Sequence, residues 1–220
     1  MHESKTELKQ QAREAFLDFF ERRGVAAPSL ELLATQAGMS VAELEASYTS
    51  IDILEQDVWL GLLETTLSRL NSSSEYQESP ARKKALAFYF AFLEVLEPHR
   101  TYARTVWENA SFLRYIAPFL DTLRKGFDQY IIELLKLASD SEEIPNRPII
   151  DQFYPEIFWI QFIYVLNFWL NDKSPQAFQT DAAVEKAVRL SFDLIGKSPL
   201  DSLIDFGNVF MQNPDTGKNT

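Results

Sequence analysis

Ser29-Leu30-Glu31-Leu32-Leu33-Ala34-Thr35-Gln36-Ala37-Gly38-Met39-Ser40-Val41-Ala42-Glu43-Leu44-Glu45-Ala46-Ser47-Tyr48 is the stretch that decides how this chain folds. Ser29 to Gly38 predicts a short helix that ends at a glycine. Met39-Ser40 follows, and Val41 to Tyr48 predicts a second short helix. Two short helices joined by a tight turn containing glycine make a helix-turn-helix. The second helix of that motif ordinarily enters the major groove of DNA. Charge points the other way. No lysine or arginine stands between Arg23 and Arg69, and the second helix carries Glu43 and Glu45. DNA binding draws much of its affinity from neutralised phosphates. The fold is therefore easier to read from these residues than the function.

Outward from this stretch, residues 15–54 resemble the N-terminal domain of the TetR family of bacterial repressors. Ala15-Phe16-Leu17-Asp18-Phe19-Phe20-Glu21-Arg22-Arg23-Gly24 is similar to the end of that family's first helix, with its apolar pair and closing glycine. Ser29 stands where the family caps its second helix with Ser or Thr. Ala37-Gly38-Met39-Ser40 matches the turn, with Met in place of the usual Val. Leu44, Tyr48 and Leu54 match apolar and aromatic positions beyond it.

The resemblance implies an all-α fold. Residues 1–51 would form a three-helix helix-turn-helix domain, residues 52–212 a larger helical ligand-binding and dimerisation domain, and residues 213–220 a flexible tail. It also implies a DNA-facing set of Ser29, Ser40, Val41, Ala42, Glu43, Glu45, Ser47 and Tyr48. The sequence departs from the family on positions that touch DNA there. Val41 opens the recognition helix where a basic or small polar residue is frequent. Glu45 aligns with a near-invariant tyrosine, and Ile51 with a phosphate-gripping lysine. These departures imply weak or atypical DNA binding. Backbone N–H groups and the hydroxyls of Ser29, Ser40, Ser47, Thr49 and Ser50 remain as phosphate donors.

Composition supports a packed core. Hydrophobic residues make up 46% of 220, enough to argue against disorder. The formal charge of −11 repels polyanions such as nucleic acid and anionic membranes. The cations near the DNA-facing set are Lys5, Lys9, Arg13, Arg22 and Arg23, offset by Glu3, Glu7, Glu14, Asp18 and Glu21. The chain has no cysteine and only two histidines, which removes disulfides and thiolate sites and makes a transition-metal site improbable. No apolar leader follows Met1, and the strongest apolar run, Ile157 to Leu170, is too short to span a bilayer. A cytoplasmic protein without membrane insertion is expected.

Beyond the turn motif, helices are predicted at 52–70, 81–96, 100–113, 117–138, 150–171 and 180–195, with a short terminal helix within 199–211. Residues 71–79 read as a polar loop, Pro80 as a helix start and Thr180 as an N-cap. The 150–171 helix carries two apolar stripes. Ile157, Ile160, Tyr164 and Phe168 form one, and Phe158, Phe162, Val165 and Trp169 the other. A helix apolar on two sides buries both. One stripe can face its own core and the other a second subunit, with the 180–196 helix beside it. A homodimer is the expected assembly.

Aromatic residues crowd the middle of the chain. Phe88, Phe92, Trp107, Phe112, Tyr115, Phe119, Phe127, Tyr130, Phe158 and Phe162 are candidate contacts for an apolar or aromatic small molecule. Any single one of them is more readily explained as core filling. His99 is better explained as bordering a helix end than as a sensor. Acidic pairs such as Glu142-Glu143 read as solvated surface. No glycine-rich phosphate loop, nucleophile elbow or metalloprotease motif occurs, so no catalytic residue, metal ligand or cofactor is expected. Two functions fit this reading. One is a ligand-responsive transcriptional regulator binding DNA weakly or atypically. The other is a binding protein of the same fold for an apolar or lipid-like molecule, with DNA binding lost.

Overall fold

The computed structural model describes residues 2–110, 117–145 and 154–196, and among these the ordered elements are all helical. The expected terminal helix within 199–211 and the tail lie outside the described residues, as do Phe112 and Tyr115.

Helix α1 (His2–Arg23) buries Ala12, Phe16, Leu17, Phe19 and Phe20 along one side. Gly24 ends it with φ 71°, donating its N–H to Phe20 O at 2.7 Å. Helix α2 (Leu30–Ala37) is capped by Ser29, whose Oγ accepts the Leu32 N–H at 3.2 Å. At its other end Gly38 adopts φ 67°, and Met39 donates to Ala34 O at 2.8 Å. This left-handed residue with a long return bond is the glycine-terminated helix ending. Helix α3 (Val41–Ser47) is capped by Ser40, which accepts the Glu43 N–H at 3.3 Å. Ser29 and Gly38 hold the two ends of α2 as expected, and Ser40, expected only as a turn residue, caps α3.

Helix α4 (Ile51–Asn71) runs through the middle and packs on α1, on α6 (Ala81–Leu96) and on α8 (Asp121–Asp140). It buries Leu54, Val58, Trp59, Leu62 and Leu63. A Cβ on its Gly61 would lie 2.7 Å from Arg13 Cδ, so glycine lets the α1 arginine come close. Residues 71–79 are not simply a loop. Ser73 caps a short helix, α5 (Ser74–Glu78), and Tyr76 meets the hydroxyl of Tyr130 at 3.2 Å. That tertiary contact holds a segment too polar and short to be helical alone.

Pro80 leads α6, as expected, but supplies no side-chain cap. The Glu143 carboxylate takes the Ala81 and Arg82 N–H groups instead, at 2.7 and 3.2 Å. Helix α7 (Arg100–Asn109) follows a 3-10 turn, with His99 at the junction. Helices α9 (Tyr154–Asn171) and α10 (Phe178–Gly196) pack side by side. Thr180 is not the N-cap expected of it. The helix starts two residues earlier, and Thr180 is buried, giving its N–H and hydroxyl to Asp172 at 2.9 and 2.8 Å. Hydrogen bonds from Ser174 and Thr180 hold the Asp172 carboxyl down at about 2.

Candidate functional sites

The residues expected to face DNA do not all share one surface. Ala42, Glu43 and Glu45 are exposed on α3, and Ser29 and Ser40 are exposed at the two caps. Val41 is half-buried and packs on the core. The Ser47 hydroxyl donates back to Glu43 O at 3.0 Å. Tyr48 lies elsewhere. Its ring is 3% exposed, and its hydroxyl donates to Asp57 at 2.6 Å. Burial, then that hydrogen bond, pushes the phenol upward. Tyr48 therefore pins the end of α3 to α4 and presents no edge to a groove.

Asp57 is the centre of this part of the molecule, and the sequence reading missed it. Arg13 grips it with two parallel bonds, Nε to Oδ2 at 2.8 Å and Nη2 to Oδ1 at 3.0 Å. Lys9 stands 3.7 Å away, and the remaining Arg13 nitrogen reaches Glu64 at 2.7 Å. A planar guanidinium suits such a fork. Burial alone would raise the Asp57 carboxyl, but the bonds from Arg13 and Tyr48 win and hold it below the ordinary range. Lys9 and Arg13, two of the few cations near the DNA-facing set, are thus both paired with this carboxylate. Arg22 pairs with Asp18 at 3.4 Å, and the Arg23 guanidinium sits 6.0 Å from the Phe19 ring centre. A signal for Asp57 was present. It is an acid among Leu54, Val58 and Trp59, the apolar side of a central helix.

The aromatic residues expected to line a ligand site divide into separate groups. Phe88 stacks on Tyr130 at 4.5 Å, and Phe162 meets Phe127 at 4.9 Å and Phe92 at 5.0 Å. These rings, carried on α6, α8 and α9, are in contact with one another. Phe158 turns toward Phe192 on α10 at 6.0 Å. Trp107 donates its indole N–H to Asn167 at 3.0 Å. Phe119 packs on Trp59 at 5.5 Å and borders an open groove near the α1–α2 loop.

The two stripes of α9 part as expected. Phe158, Phe162, Val165 and Trp169 are buried. Ile160 and Tyr164 are 53% and 56% exposed, and Phe178 and Leu190 of α10 are 60% and 59% exposed beside them. Between them Ala182, Ala183 and Ala187 keep the α10 side low, so the face is a groove with apolar rims. Gln161 lies at its floor, accepting from Tyr89 at 3.1 Å and from Ser191 at 2.9 Å. On the 180–196 helix, Val184, Val188, Ser191 and Ile195 point inward, so its outward side is carried by Phe178, Ala182, Leu190 and Leu194.

His99 Nδ1 lies 3.1 Å from Glu21, joining the end of α1 to the start of α7. No cluster of three potential metal ligands occurs among the described residues, and none of the described helices is long and apolar enough to cross a membrane.

Comparison with known proteins now bears on these features. A TetR transcriptional regulator from Nitrosomonas europaea has a similar fold, with a TM-score of 0.60 over 84% of this chain and 97% of that one. Identity is 12%, so the likeness speaks for the fold alone. No curated protein matches the sequence. Residues 84–210, more than half of the chain, match the family model described as "Tetracyclin repressor-like, C-terminal domain". That match, together with a glycine-turned helix pair ahead of it, places the chain in the TetR family.

Proposed function

We propose that the protein is a ligand-responsive transcriptional regulator that works as a homodimer in the cytoplasm, binds DNA weakly or atypically, and catalyses nothing. The observation that carries the reading is the intact helix-turn-helix. Serines cap both helices, and Gly38 makes the turn in a conformation other residues resist. A domain kept only as packing would not need a turn that leaves Ala42, Glu43 and Glu45 of α3 facing outward.

The α9–α10 face supports the dimer. A contiguous patch of large exposed apolar side chains marks an interaction surface, and a two-fold interface uses the same patch on both copies. Two helix-turn-helix units then fall at a fixed spacing, which is what half-site recognition requires. The α3 face supports weak DNA binding. Glu43 and Glu45 are exposed on it, and Lys9 and Arg13 are engaged on Asp57. The alternative of a carrier for an apolar or lipid-like molecule gains nothing from the ring cluster, whose members are in mutual contact.

Sedimentation and a salt-dependent DNA titration test the reading together. A dimer at micromolar concentration that binds duplex DNA at low salt, with affinity falling shallowly as salt rises, is the expected result. A monomer, or a dimer blind to DNA even at low salt, sinks it.

A further inference from the structure

A groove of about 670 Å³ opens where the helix-turn-helix unit meets the rest of the molecule. The loop after α1 forms one wall, α7 another, and the 3-10 turn at Pro118–Leu120 a third. Phe20, Val25, Val106 and Phe119 give it an apolar surface. Its volume is in the range of small-molecule sites, roughly 300–1,000 Å³.

Glu55 of α4 is the one ionisable group among its described lining residues. One carboxylate oxygen accepts the Tyr102 hydroxyl at 2.9 Å. Tyr102 is itself fully buried, boxed by the rings of Phe16 and Phe20 at 5.8 and 5.1 Å, so it is fixed in place. Glu55 takes no part in the ion pairs found among the described residues. Asp57, two positions along the helix, holds Arg13 and Lys9, whereas Glu55 holds no cation among the described residues. Burial pushes the Glu55 carboxyl up, against the Tyr102 bond, and the charge of Asp52 adds to the rise.

An acid in an apolar groove, with a donor on one oxygen only, has one good complement. An anion would be repelled by Glu55 and Asp52. A neutral apolar molecule would strip water from the carboxylate and return nothing. A cation with an apolar coat answers both the charge and the walls. We propose that this groove binds a small apolar cation, an alkyl- or aryl-ammonium, with Glu55 as its counter-ion. The site lies away from the ring cluster of α6, α8 and α9. It touches both the α1–α2 loop and α7, so an occupant biases how the helix-turn-helix unit sits, provided it favours one placement. That consequence, though not the binding itself, rests on the regulator reading.

Calorimetric titration of the full chain with benzyltrimethylammonium, and with phenylmethanesulfonate as a size-matched anion, tests the site. The cation is expected to bind and the anion not to. Glu55→Gln should weaken the cation about tenfold or more, as loss of one partner of a desolvated charge pair does. Glu133→Gln, an exposed acid on α8, should change nothing. Val25 is 60% exposed at the mouth, so Val25→Lys folds and should weaken the cation by placing a competing ammonium there. Equal binding of anion and cation, no binding of the cation, or wild-type affinity in Glu55→Gln overturns the proposal. Should Glu55→Gln fail to fold, wild-type affinity in Val25→Lys overturns it. Dimerisation and DNA binding are read without the cation, so either claim can fail while the other stands.

Discussion

The outer face of α2–α3 and the outer face of α9–α10 are both exposed among the described residues, and they carry opposite chemistry. On α9–α10 the exposed residues are Ile160, Tyr164, Phe178 and Leu190, which water does not favour. On α3 they are Ala42, Glu43 and Glu45, which suit water and repel phosphate. In both places the buried residues set the shape, Leu44 and Tyr48 in one and Phe158, Phe162 and Trp169 in the other. The exposed residues then decide what the shape is good for. A familiar scaffold is thus weak testimony to its customary use, and the two faces must be judged by their own surfaces.

The sharpest break in the comparison lies within α9. Phe162 is buried and Tyr164, two positions on, is exposed. Phe162→Asp should unfold the protein, since an unpaired charge in a packed core costs about 4–5 kcal/mol or more, against a total stability of about 5–15 kcal/mol. Tyr164→Asp should leave helicity and melting cooperative and turn the dimer into a monomer by sedimentation velocity. A dimer that survives Tyr164→Asp would show that this face is not the interface.

The next effect concerns what holds the α2–α3 unit in place. Asp57→Asn removes the anchor of Arg13, Lys9 and Tyr48. It should cost about 2–4 kcal/mol in denaturant unfolding, as breaking one side of a largely buried pair does. The pH dependence has a definite sign. The folded carboxyl is held below its unfolded value, so its stabilisation is complete above about pH 4 and is lost as pH falls through the lowered value. Asp57→Asn should therefore flatten the acid limb of the stability curve. An unchanged acid limb would mean that Asp57 is not what acid titrates.

On the α3 face itself, replacing Glu43 and Glu45 with Gln should tighten non-specific DNA binding by about 1 kcal/mol or less for each charge removed, at surface-like screening. The wild-type salt slope should correspond to about two to four neutralised phosphates per dimer, where strong repressors use roughly 6–10. Tight sequence-specific binding that is lost on Glu45→Gln would show that the acidic helix reads bases, since a carboxylate can accept from cytosine.

The smallest effect is at the turn. Gly38→Ala meets no atom within 4 Å, so only the φ of 67° resists it. The expected loss is about 1 kcal/mol, the cost of a left-handed residue with a Cβ. A much larger loss would mean that the turn bears on tertiary packing as well.

Much of this was legible in the residues. The cap Ser29 and the terminator Gly38 act within a few positions, so their roles follow from order alone. The apolar periodicity of α9 announced two stripes, and its pairing with α10 followed from neighbouring positions in the chain. The short helix α5 was not legible, because the Tyr76–Tyr130 contact that supports it spans 54 positions. What the rings in the middle of the chain touch was hidden for a related reason. A sequence tells how many rings there are but not whether they close on one another, and Phe88, Phe127, Tyr130 and Phe162 do.

By itself the sequence determined the all-helical plan, the turn and its capping Ser29, and the excess of acid on α3. These depend on local propensity and spacing, which a linear chain states outright. Only the tertiary structure decided that Arg13 and Lys9 pair with Asp57, that Tyr48 faces inward, that the central rings touch one another, and that Glu55 borders a groove with no cation among its described lining residues. Which charge finds which, and which side of a helix meets water, depends on residues brought together from dozens of positions apart, and that proximity is created by folding.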